Sequence, residues 1–147
     1  MKIAIGSDHR GFKLKTFLKK FLQDEGHEVI DQGPKDDASV DYPVYSLKVG
    51  ESVRDKETDR GILICGSGIG TCIASNKVKG IRAVLARTEN DAIMGRKHNN
   101  ANILCLGADV TSEEEAAGIT QKFLETDFED GRHQRRVDII TQIEEER

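Results

Sequence analysis

The chain has 147 residues, 37% hydrophobic and 33% charged, with a formal net charge of −4; this length fits one domain with one substantial core and excludes two ordinary ones. The ordinary apolar share argues against disorder, and the negative balance against bulk attraction to nucleic acid or an anionic membrane, so an anionic ligand should be small. No apolar run has the length of a signal peptide or a membrane span, and Cys65, Cys72 and Cys105 have neither the number nor the spacing of a disulfide framework or zinc site; the expectation is a cytoplasmic protein with reduced thiols.

Lys2 to Gly6 predicts a first strand, followed by the polar turn Ser7-Asp8-His9-Arg10-Gly11. Phe12, Lys15, Thr16, Leu18, Phe21 and Leu22 then recur at helical spacing, apolar residues on one face and lysines on the other. Glu28 to Asp31 reads as a second strand. Asp31 to Val40, with Gly33, Pro34, Asp36 and Asp37, reads as a surface loop flanking a ligand, before a helix begun near Pro43. Gly61 to Cys65 forms a third strand that opens into Gly66-Ser67-Gly68-Ile69-Gly70, with a helix beginning at Ile73 and Ala74. Arg82 to Ala86 is the fourth strand, a helix ending at His98-Asn99-Asn100 follows, and Asn102 to Leu106 is the fifth. Thr111 as cap with Glu114 three residues on predicts a helix to about Thr126. A last helix begins near Gly131 and carries Arg132 and Arg136 one turn apart, with Val137, Ile140 and Ile143 available to dock it. Five strands alternating with helices predict a single α/β domain over residues 1–147, with a five-stranded parallel sheet.

Ligands of open parallel sheets bind beyond the carboxyl ends of the strands. Two such ends carry chemistry here, the turn at Asp8 and the loop after Cys65, and adjacent strands would bring Asp8 and Cys65 together. Alternate glycines free the loop to turn sharply and aim backbone N–H groups inward, and a thiol beside them is a potential base or nucleophile. Each residue also has a plainer role. Asp8 could cap the first helix, Cys65 could be a small buried hydrophobe as Cys72 and Cys105 are expected to be, and the arginine cluster could be a solvated helix face. The glycine spacing is not G-x-G-x-x-G and no Walker lysine follows, which disfavours a dinucleotide. His98 falls at the amino end of the sheet, either as a helix-terminal cation or as a group reaching the cleft of a second copy.

Asp8-His9-Arg10-Gly11-Phe12, Asp41-Tyr42-Pro43, the Cys65 to Gly70 loop, Asn76 to Ala83, His98-Asn99 and Gly131 to Val137 together resemble the B-type ribose-5-phosphate isomerase family, which includes allose- and galactose-6-phosphate isomerases. The resemblance implies a Rossmann-like three-layer α/β/α domain. It also implies a homodimer, or a dimer of dimers, with shared active sites and the C-terminal helix, about 131–147, at a subunit interface. The implied reaction interconverts ribose 5-phosphate and ribulose 5-phosphate through a cis-enediolate, with no metal or organic cofactor and no nucleic-acid or membrane partner. By resemblance, Cys65 is the base, His98 opens the sugar ring, and Ser67 with N–H groups of Gly66, Ser67, Gly68, Ile69 and Gly70 stabilises the enediolate. Asp8, Tyr42 and Asn99 line the sugar, and His9, Arg132 and Arg136 hold the phosphate.

Three positions depart from the family pattern. Ser67 stands where many members have threonine, Thr71 where one branch has a glutamate base, and Asp109 where many have an arginine. The last leaves the length of the sugar open, so a hexose 6-phosphate is the alternative substrate. A non-catalytic phosphosugar sensor and a redox-sensing Cys65 are the readings from other classes.

Overall fold

Three aliphatic stretches with almost no polar interruption can only be strands buried on both faces, and they form the centre of a parallel sheet. In the computed structural model, which describes residues 1–147, these are β1 (Lys2–Ser7), β3 (Arg60–Cys65) and β5 (Ile103–Gly107); β2 (Glu28–Asp31) and β4 (Ala83–Leu85) are the edges. The order is β2-β1-β3-β5-β4, and every pairing is parallel. The helices are α1 (Phe12–Asp24), α2 (Tyr42–Arg54), α3 (Ile69–Ser75), α4 (Glu89–Asn99), α5 (Glu113–Glu125) and α6 (Arg132–Glu145). None is long and apolar enough to cross a membrane. Leu14, Leu18 and Leu22 of α1 join Ile119 and Phe123 of α5 on one face of the sheet, and Val49 and Val53 of α2 pack with Val78 on the other. The result is the three-layer α/β/α arrangement.

The elements differ from expectation where single residues decide. The helix after the cysteine loop begins at Ile69, because Gly68 at φ 78° turns the chain directly into it. The cap before α5 is Ser112, whose hydroxyl accepts from the Glu115 N–H at 3.1 Å, so the capping pair lies one residue later than Thr111 and Glu114. Asp8 accepts from the Gly11 N–H at 2.9 Å and closes the turn, while Gly11 itself occupies the cap position of α1.

The largest departure is Lys15. Helical spacing gave it to the solvated lysine face, yet it is 1% exposed. Its ammonium donates to Asp31 Oδ1 at 2.7 Å and to the Pro34 carbonyl at 2.8 Å, tying α1 to the end of β2. Burial pushes the Asp31 carboxyl upward, but hydrogen bonds from Lys15 and the Gly33 N–H, with the charges of Lys15 and Lys19, outweigh it and hold the group below its ordinary 3.8. Lys15 is the buried partner while the Asp31 side chain is 26% exposed, so removing the carboxylate strands a buried ammonium.

Asp31→Ala should therefore lower unfolding free energy by about 3 kcal/mol in urea titrations. The Asp31 contribution is complete above the carboxylate's ordinary pKa and fades as pH falls through the lower folded value, so the gap between the two proteins should narrow in acid. A loss no larger than that from an exposed ion pair would contradict this account.

Candidate active site

The helices cross from one side of the sheet to the other between β1 and β3, and ligands of such sheets bind beyond the carboxyl ends at this switch point. Ser7 pairs with Ile64, so Asp8 and Cys65 leave adjacent strands at the same level. Asp8 is 6% exposed, and its N–H donates to the Ile64 carbonyl at 3.1 Å. His9 turns towards the 31–40 loop, where its Nδ1 accepts from the Val40 N–H at 3.2 Å. The ring of Tyr42 lies against Gly70, which has no room for a Cβ: one built there would sit 2.6 Å from Tyr42 Cζ.

Cys65 is 4% exposed, and its sulfur faces the loop. The Gly68 N–H donates to Sγ at 3.1 Å, and Thr71 Oγ1 lies 3.5 Å away. The Thr71 hydroxyl also lies 3.1 Å from the Gly68 carbonyl, so it can donate either to that oxygen or to the sulfur. Sequence reasoning passed over this role for Thr71. A donor aimed at sulfur is the partner that a charged sulfur needs when it takes part in proton transfer.

The loop amides divide differently from the expected run of five. Gly68 serves Cys65, and the Ile69 N–H donates to Ser67 Oγ at 3.1 Å. Those of Gly66, Ser67, Gly70 and Thr71 donate to no acceptor in the chain. Because Ser67 Oγ accepts from Ile69, its own proton is free to donate outward. The arrangement is a short row of donors beside a thiol, suited to an oxygen that gains negative charge.

The remaining predicted residues sit elsewhere. His98 and Asn99 end α4 at the amino edge of the sheet, separated from the carboxyl edge by the run of β5, about 13 Å from Ile103 to Gly107. Arg132 and Arg136 are exposed on α6, which packs beside α4. His133, the buried residue of that cluster, stacks on His98 with ring centroids 4.3 Å apart and planes 15° from parallel. Burial, with His98 and Arg132 nearby, lowers the His133 imidazole from its ordinary value against the pull of Glu129.

Arg96 mounts this second group. It is 3% exposed and donates to Asn100 Oδ1, the Ala101 carbonyl and the Thr126 carbonyl at 2.8, 2.6 and 3.1 Å. Desolvation, with Arg60 and Arg82 nearby, lowers it to about 10, which still leaves it charged. His98, Glu129 and His133 bring donor atoms within 4.8 Å of one another, but stacked rings direct their in-plane lone pairs along parallel planes, a poor arrangement for sharing one metal ion. Neither His133 nor Arg96 carried a signal in the sequence beyond its place in a basic segment.

Residues 3–140 match the Ribose/Galactose Isomerase family model. The chain is 45% identical over 146 residues to the ribose-5-phosphate isomerase B of Escherichia coli, covering 99% of this chain and 98% of that one. Its fold superposes on ribose-5-phosphate isomerase B of Clostridium thermocellum with a TM-score of 0.98, 49% identity and 99% coverage of both chains. The Mycoplasma genitalium ribose-5-phosphate isomerase B with bound ribulose-5-phosphate superposes with a TM-score of 0.94 at 43% identity, covering 99% of this chain and 97% of that one.

Gly68 is the position where this loop tolerates substitution least. Its φ of 78° strains any L side chain, and a Cβ would lie 2.8 Å from the Leu106 carbonyl carbon, which is backbone and cannot move aside. Gly68→Ala should cost about 2 kcal/mol of stability by thermal unfolding. An unchanged melting temperature would show that the turn is not held as described.

Proposed function

The chain belongs to the ribose/galactose isomerase family, and we propose that it interconverts ribose 5-phosphate and ribulose 5-phosphate by proton transfer through a cis-enediolate. The observation that carries the reading is the Cys65 loop, a buried thiol with an amide aimed at its sulfur and free donors beside it, in a fold that at 43% identity holds ribulose-5-phosphate in a relative. The Cys65 thiolate takes the C2 proton of the open aldose, and the electron pair moves through C2–C1 onto O1. The thiol returns the proton to C1 as the O2 proton passes to O1, so atoms and charge balance. Free amides of the loop and the Ser67 hydroxyl face the oxygens that carry the developing charge, where one donor is worth roughly 3 kcal/mol. Proton transfers of this kind need no metal or organic cofactor.

Ring opening falls to His98, a sugar contact to Asn99 and phosphate contacts to Arg132 and Arg136, and these four lie at the opposite edge from Cys65. The reading therefore includes a homodimer in which the carboxyl edge of one copy meets the amino edge of the other. Exposed apolar residues on both parts support it, Ile69 and Ile73 on α3 and Ile139, Ile140 and Ile143 on α6, and in this reading the C-terminal helix lies at the subunit interface. His98, held against His133, then donates to the ring oxygen, while Arg132 and Arg136 join His9 at the phosphate and Asp8 and Tyr42 hold the sugar. Three unpaired thiols fit a cytoplasmic setting.

Turnover measured on a panel of sugar phosphates should show the highest kcat/KM for ribose 5-phosphate. A clear preference for allose or galactose 6-phosphate would replace the pentose with a hexose.

Cys65→Ala should lower kcat about 10³-fold while leaving sugar-phosphate binding in place. His98→Asn should also be nearly inactive. Refolding the two variants together tests the shared site, because a mixed dimer rebuilds one of its two sites from an intact Cys65 and an intact His98. Random pairing should then restore about a quarter of full activity. Absence of recovery in mixtures that do form mixed dimers would confine the whole site to one chain.

A further inference from the structure

Arg10 and Asp109 come from different turns, after β1 and after β5, and form an ion pair above the first residue of the cysteine loop. Gly66 makes room for them. A Cβ there would lie 2.8 Å from Asp109 Oδ2 and 2.9 Å from Arg10 Nε. Both supports are fastened to β3 and its loop. Asp8, two residues before Arg10, donates its N–H to the Ile64 carbonyl at 3.1 Å. Gly11, the residue after Arg10, presses so closely on that carbonyl that a Cβ would fall 2.5 Å from its oxygen. On the other side, the N–H groups of Ala108 and Asp109 donate to the carbonyls of Cys65 and Gly66 at 2.8 and 2.9 Å.

Stability does not account for such a mounting, because the two side chains are 59% and 46% exposed and pairs of that kind contribute little. Position accounts for it better. Asp109 engages Nη2 of the guanidinium, and Arg10 makes no other side-chain hydrogen bond, so the remaining N–H donors of a planar, permanently charged group stay available beside Cys65. Asp109 without its arginine would set a bare carboxylate at the edge of a cleft that receives an anion.

Resting on the sugar-phosphate reading above, we propose that Arg10 is a substrate-binding residue that receives the phosphate dianion of the substrate, and that Asp109 is the positioning residue that aims it. The cation at this edge of the cleft is thus supplied from the β1 turn, in a chain whose β5 turn carries an acid.

The test uses the full-length protein, with KM and kcat for ribose 5-phosphate and, separately, the Kd for inorganic phosphate by calorimetry. Arg10→Ala should raise both KM and Kd about tenfold, with kcat within about twofold. Adding Asp109→Ala should recover part of that loss, because it removes the unpaired carboxylate, and Asp109→Asn alone should raise KM by less than Arg10→Ala does. Arg10→Gln provides the same readings if Arg10→Ala fails to fold. KM and Kd within twofold of the starting protein, or a fall in kcat at constant KM, would overturn the proposal. Phosphate binding is read without turnover, so a protein inert towards ribose 5-phosphate would sink the activity while this measurement still decided the role of Arg10.

Discussion

A parallel sheet has two unlike edges, and the chemistry of this molecule follows from which residues fall on which. The register that sets Ser7 beside Ile64 delivers Asp8 and Cys65 to the carboxyl edge together. The helical return of α4 delivers His98 and Asn99 to the amino edge, and α6 keeps Arg132 and Arg136 on that side. A single copy thus carries the thiol at one edge and the paired imidazoles at the other, with the run of β5 between them.

Each edge is stiffened by a different device. At the carboxyl edge backbone groups do the work: glycines allow close approach, amides clip the turns to β3, and Thr71 completes the surroundings of the sulfur. At the amino edge it is side chains. Arg96 gathers the end of α4 and the segment leading towards α6, and the imidazole of His133 backs that of His98. Lys15 acts further from the chemistry, fixing α1 against β2 and the loop that reaches His9. These devices cost little in apolar area and are bought with desolvated charge, which is why Lys15 and Arg96 are so completely paired.

Much of this was legible in the chain. The strands are close to the apolar runs, because strands buried on both faces leave no other pattern. The Asp8 turn and the cysteine loop stood out because strand ends are where unusual residues signal ligands. Other residues were hidden for definite reasons. Lys15 repeats at the spacing of a surface lysine, and only the position of Asp31, sixteen residues on, makes it a core residue. His133 sits among arginines that are exposed, and its burial depends on α6 meeting α4. Ser112 took the cap from Thr111 because two capping pairs overlapped by one residue. The loop amides could be counted in advance, but not which would be spent on Cys65 and Ser67.

The empty space where Gly66 would carry a Cβ ties three distant positions to one another. A side chain at 66 would force Arg10 and Asp109 apart, and an acid at 109 without a cation at 10 would repel any anion entering the cleft. A change in the sign of charge at 109 therefore alters what position 10 faces. Across related chains these two sites should covary as a unit while 66 stays silent, a signature of shared geometry written in residues ninety-nine positions apart.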